Sequence, residues 1–226
     1  MTPLQHLLVG ERVRRRLGWD MAVRPLMCLG AIAPDAHRIA EHIDHQALHF
    51  RSRKTRDRRL IDFLGSYLRP AVNGPAGALE FWAGWLCHII ADDMWRHNLQ
   101  RDLAVLWEGV VHGTAREAEE LRDKYLRECN QLDLAFFSLY QHTIEALREQ
   151  LLAAHPQWTV EPLTVQDLHK WRLTVVQSML PPLAASDMQL QYLTMDFVEQ
   201  CMFQSEEEAF RILQWEIDEP EFSPIF

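Results

Sequence analysis

The sequence is short of several things. Its 226 residues include only four cysteines (Cys28, Cys87, Cys129 and Cys201), and no two stand in a CxxC spacing. That spacing argues against a thiolate zinc ribbon and against a disulfide framework, and it fits a reduced, cytoplasmic chain. No apolar run approaches the ~20 residues needed to cross a bilayer. The N-terminus MTPLQHLLVGERVRRRLG places its basic cluster after a short apolar run, the reverse of a secretory leader. Positive charge is scarce: 23 Lys and Arg stand against 32 Asp and Glu, for a net charge of −9. Phosphate backbones select basic surfaces, so nucleic acid is a poor fit as a partner. There is no alternating strand pattern, no glycine-rich phosphate loop, no GxSxG elbow and no internal repeat. What these absences leave is an all-α chain, a multi-helix bundle with enough apolar residues (48 %) for a sizeable core.

Helix signals divide the chain. Thr2 caps a first helix over 2–17, Pro3 suits its first turn and Gly18 ends it. Pro25 and Gly30 interrupt the apolar run 21–33, which meets Pro34-Asp35 at a turn. Residues 36–50 place His42, His45 and His49 at helical spacing, and a basic run, RSRKTRDRR, follows over 51–59. A short helix over 56–69 and a Pro/Gly loop over 69–77 precede a central helix from about 76 to 98. Helical periodicity continues over 101–111, 114–128 and 131–154, with breaks at Gly113 and Asn130. The loop 155–162 separates residues 1–155, a helical domain that carries the metal-ligating side chains, from residues 156–226, a helical extension packed on it. In that extension Thr164 opens a helix to about Leu180, Pro181-Pro182 stops it, and Ser186 or Asp187 opens a last helix to about 214.

The central helix carries the densest chemistry. FWAGWLCHIIADDMWRHN (81–98) holds His88 and Asp92 four residues apart, on one helical face, beside Trp82, Trp85 and Trp95. An imidazole and a carboxylate on one face can grip a metal ion from a rigid element; the plain alternative is a buried polar pair satisfied by its neighbours. The tryptophans read most simply as core. Asp35 sits where a turn aims its carboxylate inward, or else caps the next helix. His42, His45 and Asp93 read as outer or exposed groups.

In the order PD at Asp35, HF at His49 and GWLCHIIADDMW with His88 and Asp92, the sequence resembles the zinc-dependent phospholipase C family. The all-helical fold of that family is shared with single-strand-specific zinc nucleases. The resemblance covers roughly residues 4–135 and rests on a G-x-x-x-PD segment, an HF pair and a G-[YW]-L-x-H-x-x-x-D helix. It implies that Asp35, His49, His88 and Asp92 surround one zinc, that Asp35 also serves as general base, and that Asp92 bridges two metals. It further implies that His6 binds another zinc, and it places His97 where a histidine of a further site would follow. There are departures. Secreted members use an N-terminal tryptophan as a zinc ligand, whereas this chain starts with Met1. The family's later HxxxE pair is absent, because His112 is followed by Arg116 at +4 and Glu117 at +5. Glu117, Glu128 and Asp133 remain as unassigned carboxylates for a second metal.

The function that follows is a metal-dependent hydrolase using a metal-activated water, acting on a phosphate ester or a small specialised metabolite. Zinc suits the mixed histidine and carboxylate set, in one to three ions, and manganese or iron are also admitted. The basic run 51–59 would pair with substrate charge. The alternative is a catalytically degenerate interaction or scaffold protein on the same fold; a third reading is amide hydrolysis by the same ligands. Under the scaffold reading Leu183, Leu190, Leu193 and Phe197 form a stripe through which the C-terminal helices make a homo-oligomer or dock a partner. Otherwise the stripe packs on the bundle.

Overall fold

A computed structural model describes residues 1–40, 42–50, 56–104, 108–109, 112–179 and 190–218, with the side chains of 23, 56–59, 178 and 179 set aside. The chain is all-helical, and no strand occurs among the described residues. Helix α1 spans Pro3–Arg16. Thr2 and Gln5 form a reciprocal capping box, and Arg14, Arg15 and Arg16 face the negative end of the helix dipole. Helix α2 spans Arg24–Ile32. Contrary to the sequence reading, neither Pro25 nor Gly30 breaks it: Pro25 falls in the first turn, where no N–H is missed, and Gly30 lies inside. A 3₁₀ turn, Ala33–Arg38, follows. The helix expected over 36–50 shrinks to α3, His45–Leu48.

Phe50 turns the chain with φ +52°, a conformation that costs a non-glycine residue about 1 kcal/mol. Packing of its ring on Phe63 and Tyr67, at 5.3 and 5.5 Å between centroids, offsets that cost. Helices α4 (Arg56–Phe63) and α5 (Arg69–Val72) flank a π turn, Leu64–Leu68. The side chains of the basic run lie outside those described.

Helix α6, Ala78–Asp102, is the axis of the bundle. It meets α2 through two glycines. A Cβ on Gly30 would strike the Phe81 carbonyl oxygen, and one on Gly84 would strike that of Met27. The two backbones therefore touch with no side chain between them.

Helix α7, Ala115–Ala153, merges what the sequence reading divides at Asn130. A lone Asn costs a helix little, and Cys129, Leu132 and Phe136 carry the buried stripe straight across it. The kink comes instead at Tyr140 (φ −119°, ψ 24°). Helix α8, Val165–Thr174, opens on the Thr164–Asp167 capping box and runs into a π turn, Val175–Met179. Helix α9 is described from Met195 to Asp218; the Pro-Pro stop and the Ser186/Asp187 start lie outside the described residues.

These last helices pack into the same core. Leu168, Trp171, Leu193, Val198 and Met202 belong to the same buried cluster as Leu29, Phe81 and Trp85. Leu193 is fully buried, Leu190 packs against the core and Phe197 meets Trp95 at 5.3 Å, so this part of the stripe packs on the bundle. Leu183 lies outside the described residues. No described helix is long and apolar enough to cross a membrane.

Candidate metal centre

Four elements deliver donors to one point. The register of α6 on α2 places His88 beside the end of α2, where its Nδ1 lies 2.8 Å from the Ala31 carbonyl oxygen. The 3₁₀ turn after α2 buries Asp35, α3 presents His49, and α1 contributes His6. Trp85 Nε1 donates to the Leu48 carbonyl oxygen at 3.2 Å, tying α3 to α6 one residue before His49.

Three groupings have donor atoms within 4.8 Å of one another: His6, His88 and Asp92; Asp35, His49 and His88; and His45, His49 and Asp92. His49 Nε2 lies 3.3 Å from Asp92 Oδ2 and 3.9 Å from Asp35 Oδ1. His88 Nε2 lies 3.9 Å from Asp92 Oδ2, and His6 Nε2 lies 3.4 Å from Asp92 Oδ1. The Met1 amine lies 3.5 Å from the same oxygen. The Asp92 side chain is 15 % exposed, whereas those of His6, Asp35, His49 and His88 are 5 % or less.

The two central histidines have assignable tautomers. His49 Nδ1 lies 3.0 Å from the His45 carbonyl oxygen, and His88 Nδ1 faces that of Ala31. A carbonyl only accepts, so in each ring Nδ1 carries a hydrogen, and in the neutral ring Nε2 holds the lone pair. Yet the two Nε2 atoms face each other at 3.1 Å. Two lone pairs at that distance repel unless something positive stands between them. The spacing is close to the roughly 3.3 Å edge of a tetrahedral site with metal–nitrogen bonds of about 2.0–2.1 Å.

The electrostatics point the same way. Burial, then the charge of His6, holds His88 well below its ordinary pKa, and burial likewise lowers His6. Burial alone would raise Asp92. The nearby Met1 amine, first among the opposing groups, outweighs it and the carboxyl is held well below its usual range. Neutral imidazoles around an ionised carboxylate are the protonation states a divalent cation requires. Ala31 also lies at the C-terminal end of α2, whose partial negative charge favours a cation.

Several sequence expectations fall elsewhere. His97 is exposed and lines a separate groove of about 680 Å³ with Arg16, Arg101 and Phe203. Five residues beyond Asp92 is a turn of about 140° around a helix, which takes it off the ligand face. His112 is exposed beside Glu108, and Glu117 caps α7 through Thr114. Glu128 accepts the backbone N–H groups of Gln191, Tyr192 and Leu193 at 2.8–2.9 Å and so pins the approach to α9. Asp133 accepts from Thr2 Oγ1 and Gln5 Nε2 under the start of α1. None of these three carboxylates joins the groupings above. Asp93 pairs with Arg96, and His42 is exposed near Asp167. Trp82, Trp85 and Trp95 are core.

His45, read from sequence as an outer group, stacks on His49 with centroids 4.1 Å apart. Its i, i+4 relation to His49 was the available signal. Arg38 is the other residue the sequence reading passed over; its Nη2 lies 3.0 Å from Asp35 Oδ2. Comparison of the chain with protein-family models, curated proteins and solved structures returns no match.

Proposed function

We propose that this chain is a metal-dependent hydrolase of the zinc-dependent phospholipase C type, with Asp35, His49, His88 and Asp92 around a zinc ion and His6 beside them. The observation that carries the reading is the 3.1 Å confrontation of the His49 and His88 Nε2 lone pairs. A proton between them would satisfy two donors and leave charge on a buried ring. A divalent cation would satisfy both rings and both carboxylates together. Manganese or iron suits the same nitrogen and oxygen set.

When bound, such an ion supplies an electrophile and lowers the pKa of a bound water toward ~7. The remaining roles belong to side chains. Asp35 turns Oδ1 toward His49 and has Oδ2 held by Arg38, a fixed carboxylate able to accept a proton from an attacking water. The Arg38 side chain is 41 % exposed, so its other N–H groups remain available to an anionic substrate. Asp92 gives the cluster its contact with solvent. A small phosphate ester suits an ion-bearing cluster with the Arg38 guanidinium beside it.

Elemental analysis of the purified full chain tests the reading, beside His88→Ala and Asp92→Asn. Bound zinc, manganese or iron that disappears in both variants is the expected result, followed by turnover of a chromogenic phosphodiester. A folded wild-type chain that neither carries nor takes up zinc would overturn it.

A further inference from the structure

Away from the histidine–aspartate cluster, the groove that His97 lines runs between the end of α1, the later turns of α6, and α9, with a volume of about 680 Å³. Clefts of roughly 300–1,000 Å³ are the size of ligand sites. Its apolar part is Met94, Phe203 and Phe210, and Phe203 is 57 % exposed. Its charged rim is Arg16, Arg101 and Arg211 against Glu207 and Glu208, an excess of positive charge on a chain whose net charge is −9. The Arg16 guanidinium lies over the Phe210 ring at 4.1 Å and is held by Glu207. Arg211 pairs with Glu208 one turn before it, and Arg101 with Asp102 beside it. Exposed pairs of this kind are weak, so these two arginines can exchange partners for an incoming carboxylate. Aromatic rings beside arginines suit a segment that carries carboxylates and aromatic side chains together.

The chain itself supplies such a segment, and at the right place. Helix α9 is described to Asp218, and the sequence continues as EPEFSPIF over 219–226. Pro220 is unsuited to a helix interior, because its ring removes an N–H and clashes with the preceding turn. A chain leaving Asp218 and returning along α9 would meet the groove in a fixed order. Measured back from Asp218 at about 1.5 Å per residue, Arg211 lies at about 10 Å, Phe210 at about 12 Å and Phe203 at about 22 Å. An extended chain advances about 3.3 Å per residue, which carries Glu221 about 10 Å, Phe222 about 13 Å and Phe226 about 26 Å. That register sets Glu221 against Arg211 and Phe222 against Phe210, and brings Phe226 within reach of Phe203. We propose that residues 219–226 dock in this groove in that register, carboxylates on the arginine rim and aromatic rings on the apolar part. The groove is then an internal docking site for the acidic, aromatic end of the sequence. The proposal is independent of the metal-binding reading.

Distances between two nitroxides on the full chain test this. The labels go on Gln100→Cys, exposed on α6 beside Arg101, and on Ser223→Cys. The four native cysteines are buried, so only the added ones react. Double electron–electron resonance should give one narrow distribution at short distance, and it should persist when the labelled chain is diluted with unlabelled chain. Arg211→Glu and Phe222→Ser, each added to the labelled chain, should broaden the distribution and move it to longer distance. Circular dichroism checks the fold. Phe222 lies outside every described helix, so its substitution tests the contact without altering the bundle. A broad distribution in the parent chain, or a narrow one that both variants leave unchanged, overturns the proposal. A distance that vanishes on dilution also overturns it, by placing this segment of one chain on a second copy.

Discussion

Asp133 shows what a single buried carboxyl does when it lies near a site without joining it. Burial pushes its pKa up to about 7, against the hydrogen bonds it accepts from Thr2 and Gln5. An unfolded aspartate titrates near about 3.9. Between those values the folded chain binds more protons than the unfolded one, so stability falls as pH rises from about 4 to about 7 and is level above. Asp133→Asn keeps an oxygen for Thr2 and Gln5 and removes the titration. It should therefore raise the urea midpoint at about pH 8 and change it little at about pH 4. A variant destabilised equally at both would show that the carboxylate itself is needed. His88 and Asp92 could be paired from their spacing on one helix face, whereas Asp35, His49 and His6 were joined to them by the family resemblance. Asp133 and Glu128 could not be placed, because their partners lie 128 to 131 and 63 to 65 residues away.

At the scale of elements, the site depends on two helices that touch backbone to backbone. Gly30 and Gly84 let α2 and α6 close until His88 reaches the Ala31 carbonyl oxygen. Gly84→Ala should force the pair apart, at a cost of about 1–3 kcal/mol or more, because the obstruction is backbone and cannot rotate away. Urea unfolding reads the stability loss, and zinc titration should show weakened binding although no ligand is altered. Undiminished stability would mean that the helices have room to slide. The caps Thr2 and Thr164 were readable, and each begins a helix through a reciprocal box, as Thr114 also does. The glycine interlock was not. A glycine inside an apolar run signals either a break or a close approach, and only the partner helix decides which. The same limit applies to residues 36–50. Their 3, 4 and 7 spacing suggested one helix, whereas the 3₁₀ turn and α3 fold the segment back so that His37, His45 and His49 gather at one spot.

Among the described residues, the N-terminal two-fifths of the chain carries every grouped donor and the C-terminal helices carry none. Those helices nevertheless supply core residues. They also reach the site through a hydrogen bond. Trp171 Nε1 donates to the Ile32 carbonyl oxygen at 2.8 Å, next to the Ala31 carbonyl that accepts from His88. Both oxygens belong to the last turn of α2, where helical carbonyls lack intrahelical partners. Trp171→Phe keeps most of the packing and frees one buried acceptor. It should cost about 1–3 kcal/mol in stability. It should also lower zinc affinity in a titration monitored by dialysis; unchanged affinity would confine the effect of Trp171 to the core.

The end of α2 is thus a junction with two readers, the candidate metal centre on one side and the C-terminal helices on the other. Binding free energy spent at one is reciprocally available at the other. Metal loading should slow hydrogen exchange of the α8 amides, far along the chain from any ligand. By the same linkage, a molecule that seizes or loosens α8 should change how tightly the cluster binds added zinc. The free energy of the C-terminal helices is then a control on the chemistry of the N-terminal ones, exerted without a single shared donor.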